Sequence, residues 1–236
     1  MKHPNAMVNA FLHIPEWRWK NELRYFLAFS PLVPRFIKDW SPVRGYELKR
    51  RIRQGDVIVD AGAYPGDYAI FAARRAGPSG RVICFEPGER NRAVLERNVK
   101  AAGLRNVTIV PKGLWNERTT LRFAQDGLAS TALGEGGTDS AIEVTTLDDA
   151  LAELGVGRVD VLKMDIEGAE IQAIQGARRT LESGDVHVCI ASYHIVDGRT
   201  TSHWLEEYLR SLGYRAESAY PKHLTTYGFR LQTPSE

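Results

Sequence analysis

The 236-residue chain contains no apolar run near the ~18 residues that a membrane span requires. Its best candidate, residues 26–37, is interrupted by Pro31, Pro34 and Arg35. The opening Met1-Lys2-His3-Pro4 has no secretory hydrophobic region after it, so a reducing cytoplasm is the expected setting. Cysteine is scarce. Cys84 and Cys189 each lie inside an apolar, strand-like run, which fits core thiols and leaves no material for a disulfide framework or a thiolate metal site. Strong charge of one sign is also lacking: 31 Lys/Arg stand against 29 Asp/Glu, a net +2, so bulk charge gives no argument for nucleic-acid binding. The balance is uneven, however. Residues 1–56 hold 11 Lys/Arg and 5 Asp/Glu, which leaves a mildly acidic remainder.

What the chain does have, from about Val57 onward, is alternating strand and helix signals, the pattern of a parallel sheet covered on both faces. Strands are expected at 57–60, 81–86, 107–110, 159–164 and 186–191. Helices are expected at 68–76 (closed by Gly77-Pro78), at 89–102 (stopped by Gly103) and at 147–154. A fourth helix carries Ile171, Ile174 and Leu181 on one stripe and ends near Gly184. A fifth places Trp204, Tyr208 and Leu212 on one face before Gly213. Two β-like pieces, 120–123 and 142–145, flank a Gly-rich polar stretch at 127–140 that reads as an exposed loop. The runs 214–220 and 225–231, joined at Pro221-Lys222, predict a final hairpin and one antiparallel strand. Residues 1–50 stand outside the alternation. Trp17, Trp19, Phe26, Phe29, Phe36 and Trp40 among several prolines suggest a helical cap, a lid over the substrate or a dimer contact, preceding a main domain at 51–236.

The first strand runs into Asp60-Ala61-Gly62-Ala63-Tyr64-Pro65-Gly66-Asp67. A glycine-rich turn between strand and helix lets a ligand approach the backbone at the carboxyl edge of a sheet. A dinucleotide fingerprint needs glycines at the first, third and sixth positions, but here the third is Tyr64 and the sixth is Asp67. An acid at that point would repel a diphosphate. Asp60 and Asp67 suit a ligand with an ammonium and a sulfonium and no phosphate, which describes S-adenosylmethionine. Glu86 ends the second strand, followed by Pro87, where a carboxylate can accept hydrogen bonds from both ribose hydroxyls. Gly113-Leu114-Trp115, just past the third strand, would lie beside the adenine, although Trp115 fits a core position equally well.

A second polar cluster, Leu162-Lys163-Met164-Asp165-Ile166-Glu167-Gly168-Ala169-Glu170, falls where a buried strand meets a helix. Helix-dipole complementation accounts for Glu170 more readily than for Lys163, which needs a partner or a ligand if it is buried. This stretch, within residues 159–181, resembles the hallmark segment of the FkbM family of methyltransferases. Val59-Asp60-Ala61-Gly62-Ala63 with Gly66-Asp67-Tyr68, Phe85-Glu86-Pro87 and Val144-Thr145-Thr146-Leu147-Asp148 are similar to further motifs of that family. The resemblance covers about residues 55–215. It departs at Tyr64-Pro65, where smaller residues are expected, and at Ser192-Tyr193-His194, where an acid often precedes the histidine.

The resemblance implies a Rossmann-like class I methyltransferase with a mostly parallel seven-stranded sheet, an antiparallel C-terminal hairpin and an N-terminal helical extension. It also implies methyl transfer from S-adenosylmethionine to a hydroxyl of a small molecule, natural product or glycan. Cofactor contacts are expected at Asp60, Gly62, Ala63, Tyr64, Gly66, Asp67, Tyr68, Glu86, Pro87, Gly113, Leu114 and Asp165. His194 or Glu167 would take the acceptor's proton, Asp165 would orient the acceptor or stabilise the methyl sulfonium, and Lys163 would hold the carboxylates. A divalent cation on Asp165 and Glu167 is a less favoured alternative. Two rival activities are a nicotinamide-dependent oxidoreductase, against which the missing glycine counts, and a nucleic-acid methyltransferase. Against the second, the chain has no Asp/Asn-Pro-Pro-Tyr motif and no Pro-Cys nucleophile. A homodimer is compatible with the sequence.

Overall fold

The computed structural model describes residues 42–123, 140–196, 198–220 and 223–230. In chain order these form α1 (Pro42–Tyr46), β1 (Val57–Ala61), α2 (Asp67–Ala76), β2 (Arg81–Phe85), α3 (Glu89–Ala101) and β3 (Val107–Val110). There follow β4 (Gly113–Leu114), β5 (Thr119–Phe123), β6 (Ser140–Thr145), α4 (Leu147–Glu153), β7 (Val161–Met164), α5 (Glu170–Gln175) and α6 (Arg178–Ser183). The last elements are β8 (His187–Ala191), β9 (Ile195–Val196), β10 (Arg199–Thr200), α7 (Ser202–Ser211), β11 (Arg215–Ala219) and β12 (Thr225–Phe229). The six N-terminal aromatics and nearly all of the 127–140 loop lie outside the described residues. No helix among the described residues is long and apolar enough to cross a membrane.

Seven strands make one sheet in the order β11-β12-β8-β7-β1-β2-β3. Strands β8, β7, β1, β2 and β3 are parallel, while β12 runs antiparallel to both β8 and β11. The α/β sheet and its C-terminal hairpin are therefore as the sequence implied. Strands β1, β7 and β8 are apolar almost throughout because both of their faces are covered. Alternation along β1 separates two cores. Val59 and Ala61 face one layer with Leu162, Met164, Ile174, Leu205 and Leu209, and Ile58 faces the other with Phe71, Val82, Leu95 and Val161.

Two local differences from the sequence reading have physical causes. The helix expected to carry Ile171, Ile174 and Leu181 and to end near Gly184 is split into α5 and α6 at Gly176-Ala177. A Cβ at Gly176 would lie 2.0 Å from the carbonyl oxygen of Trp115, so another strand's exit occupies that space. The broken turn is recapped from a distance. Asp148 accepts hydrogen bonds from the N–H groups of Arg179 (2.8 Å) and Thr180 (2.9 Å), the first turn of α6. In α7 the fully buried positions are Leu205 and Leu209, and Trp204, Tyr208 and Leu212 pack beside them.

Candidate active site

The carboxyl ends of β2, β1, β7 and β8 converge on one edge, and the crevice opens where the connections turn to opposite sides of β1. Register decides what lies beneath it. Cys84, Asp60, Lys163, Cys189 and Tyr227 are direct neighbours across five strands and therefore share a face. Lys163 consequently meets Asp60. Its Nζ lies 2.8 Å from Oδ1, donates to the carbonyls of Gly62 (2.9 Å) and Ala61 (3.3 Å), and sits over the rings of Tyr46 and Tyr68. Burial pushes the Asp60 carboxyl up and the lysine charge pulls it back. Lys163 thus carries the glycine loop from below, in direct contact with Asp60 and not with Asp165 or Glu167.

The loop is shaped by close backbone approach. Gly62 adopts φ 72°, and a Cβ there would fall 1.9 Å from the carbonyl oxygen of Asp165. Its N–H and that of Ala63 both donate to the Phe85 carbonyl (3.0 and 3.4 Å), and the Tyr64 N–H donates to Glu86 Oε2 (3.4 Å). Asn98 holds the Pro65 carbonyl at 2.8 Å. Glu86 is nearly enclosed, and its Oε1 accepts from the Gly88 N–H at 3.1 Å. Burial raises its carboxyl above the ordinary range, with those N–H donors working against the rise.

Beside the loop, Asp165 is ringed by polar aromatics. The Tyr46 hydroxyl donates to Oδ2 at 2.9 Å, the Tyr193 hydroxyl donates to Oδ1 at 3.1 Å, and His223 Nε2 stands 3.7 Å from Oδ2. Burial alone would raise this carboxyl, but His223, Lys163 and Tyr46 hold it well below the usual carboxylate range. His194 lies between two further acids, with Nδ1 3.1 Å from Glu170 and Nε2 3.3 Å from Glu167. Although burial opposes it, this pairing raises the imidazole to about 10.

The FkbM methyltransferase domain model matches residues 60–216, which span every element of this edge from β1 to α7. The chain belongs to the FkbM methyltransferase family. It is 28% identical over an alignment of 204 residues to methyltransferase sdnD of Sordaria araneosa, covering 71% of this chain and 77% of that one. To the hexuronic acid methyltransferase AglP of Haloferax volcanii it is 26% identical over 166 residues, covering 68% of this chain and 65% of the relative. Among solved structures, the FkbM methyltransferase of Methylobacillus flagellatus KT superposes with a TM-score of 0.59 at 20% identity, over 94% of this chain and 58% of that chain. At that identity the superposition speaks for the fold alone.

Within the FkbM domain the expected site residues divide into two groups. Gly62, Tyr64, Asp67, Pro87 and Gly113 retain exposed surface, with Tyr64 43% exposed and Gly113 packed near Pro87. Asp60, Ala63, Gly66, Tyr68, Glu86 and Leu114 are buried, Leu114 as part of the main core. Sequence reasoning missed Tyr46 and His223, and named Tyr193 only as a departure from the family pattern. Tyr46 sits in a segment without periodicity and gives no local signal. For His223 a signal existed: β12 antiparallel to β8 pairs Thr225 with Ala191, which brings the hairpin turn to Tyr193. As for a cation, Asp165, Glu170 and His194 bring ligand-type atoms within 4.8 Å of one another. Tyrosine hydroxyls reach Asp165, and the Gly168 N–H and the His194 ring reach Glu170.

Two histidines contribute opposite pH dependences to stability. Burial, aided by the Arg50 charge, lowers His187 to about 4, whereas His194 is raised to about 10. Between pH 4 and the ordinary value near 6.5, the unfolded chain binds the extra proton at position 187, so stability rises with pH. Above 6.5 the folded chain holds the extra proton at 194, and stability falls until about pH 10. Urea midpoints across pH 4–10 should pass through a maximum near 6.5. His194→Gln should reduce the alkaline slope and leave the acid slope unchanged.

Proposed function

We propose that the chain is an S-adenosylmethionine-dependent O-methyltransferase acting on a hydroxyl of a small molecule or glycan. The observation that carries the reading is the state of the glycine loop. Its first three N–H groups donate to Phe85 and Glu86 and are not offered to a diphosphate, and the next turn carries the acid Asp67. Around it the crevice is net negative. Lys163 pairs with Asp60, and His194, with His223 beside Asp165, faces the three carboxylates of Asp165, Glu167 and Glu170. A ligand bearing an ammonium and a sulfonium fits that field, and a nicotinamide dinucleotide does not. Glu86 would hold the ribose, Gly62 to Gly66 would lie along the amino-acid portion, and Pro87 and Gly113 would border the adenine. The relative named for hexuronic acid supports a sugar-type acceptor.

When bound, the cofactor supplies an activated methyl group. The chain must therefore align the acceptor oxygen, exclude water and receive one proton. Asp165, kept ionised and held from both sides by tyrosine hydroxyls, stabilises positive charge beside the transfer site. The proton goes to Glu167, whose carboxylate is 42% exposed at the crevice mouth. His194 is already charged at neutral pH and so does not take it. A positioned base of this kind contributes about 10²–10⁴-fold. The test is incubation with methyl-labelled S-adenosylmethionine and small-molecule or glycan extracts, followed by mass spectrometry. Label is expected in a methyl ether; label on nitrogen, or none on any acceptor, overturns the reading.

A further inference from the structure

The turn that presents Asp165 and Glu167 adopts a conformation that its own backbone does not favour. Glu167 lies at φ 56° and Gly168 at φ 101°. For a residue with a side chain, the left-handed region is sparsely populated and persists where surrounding contacts over-determine it. The contacts here are specific. Glu170, with no exposed surface, accepts hydrogen bonds from the N–H groups of Ile166 (3.0 Å) and Gly168 (3.1 Å), on either side of Glu167. The same carboxylate meets Nδ1 of His194, whose other ring nitrogen meets Glu167 itself. His194 comes from the exit of β8, so a single ring closes a circuit between two crossovers of the sheet.

The charges around the ring make the circuit self-consistent. Glu167 and Glu170 face it from the turn and from α5, and Asp165 faces it from the end of β7. Tyr193 packs on it with centroids 4.2 Å apart, and His223 lies beyond Tyr193 at 4.8 Å. Three carboxylates in so small a space repel one another, and one imidazolium among them relieves that repulsion. Without it Glu167, the most exposed of the three, is free to swing toward solvent. We propose that Glu170 and His194 are positioning residues that set the strained turn at Glu167, so that Asp165 and Glu167 meet the transfer site in one fixed arrangement. This inference rests on the methyl-transfer reading of the same site.

The test uses Glu170→Gln, His194→Gln and the double variant of the full chain. Each single change is expected to lower kcat about 10–100-fold while KM for S-adenosylmethionine stays within about threefold, and the double is expected to lose no more than the worse single, because the residues act as a unit. A merely structural role would instead lower the folded fraction and the cofactor affinity, leaving kcat per folded molecule intact. A readout independent of turnover is the ¹⁵N spectrum of the His194 ring at pH 8. The ring should be doubly protonated in the natural chain and neutral in Glu170→Gln. If Glu170→Gln does not fold, the natural chain's ring state and the kcat against KM pattern of His194→Gln decide. A neutral ring in the natural chain, or losses that multiply in the double variant, overturns the clamp. Absence of methyl transfer by the natural chain overturns the functional reading instead, and the ring spectrum still judges the clamp.

Discussion

Replacing Lys163 with methionine is expected to destabilise the fold by about 3–5 kcal/mol, the range for removing one partner of a buried ion pair. Asp60 has no exposed surface, and Lys163 is the cation in contact with it. Left alone, the carboxylate must take up a proton or draw water into a layer built from Cys84, Cys189, Tyr68 and Phe71. The Gly62 and Ala61 carbonyls lose their donor in the same step. Adding Asp60→Leu should restore most of the stability, since an apolar pair of similar volume does not carry the desolvation cost. It should not restore cofactor affinity, because the loop remains untethered. Urea unfolding of the two variants, with calorimetry on the double, separates these effects. Equal stability of Lys163→Met and the natural chain would show that the pair does not anchor the loop.

The second large effect is expected at Gly62. An alanine there meets the Asp165 carbonyl at 1.9 Å, a backbone atom that cannot rotate away, and it must also adopt φ 72°. The strain of the left-handed conformation is about 1–2 kcal/mol. The larger consequence is that the turns after β1 and β7 are forced apart, which displaces the two halves of the crevice. A displacement of about 1 Å at reacting groups costs on the order of 10²-fold in turnover. Gly103 provides the control. It has nearly the same φ, 68°, but a Cβ there meets nothing within 4 Å, so Gly103→Ala should cost stability and leave turnover unchanged. Circular dichroism melts with single-turnover rates of both variants distinguish strain from displacement.

These two sites also show what was legible in the sequence. Lys163 and Asp60 stand out because each interrupts an apolar strand, and burial demands a partner for each. That they partner one another is not readable, since register between parallel strands is set by crossovers and packing and not by local spacing. The glycine loop and Glu86 follow from strand, turn and helix signals that are local in the chain. The sheet's alternation and its C-terminal hairpin follow from the same signals. The break at Gly176 comes from the carbonyl of Trp115, a contact between segments distant in sequence. Tyr46 reaches Asp165 across the fold from a short helix without amphipathic pattern. The pairing of His194 with two acids depends on the meeting of two crossovers, and this changes its chemistry from a free base to a fixed cation.

Calorimetric titration of the purified chain with S-adenosylmethionine, and separately with NAD, tests the central claim most directly. Saturable binding of S-adenosylmethionine is expected, weakened at least about tenfold by Glu86→Ala through the lost charge-assisted hydrogen bonds to the ribose, with no measurable heat for NAD. Binding of NAD in preference, or S-adenosylmethionine binding indifferent to Glu86, would contradict the assignment of this crevice.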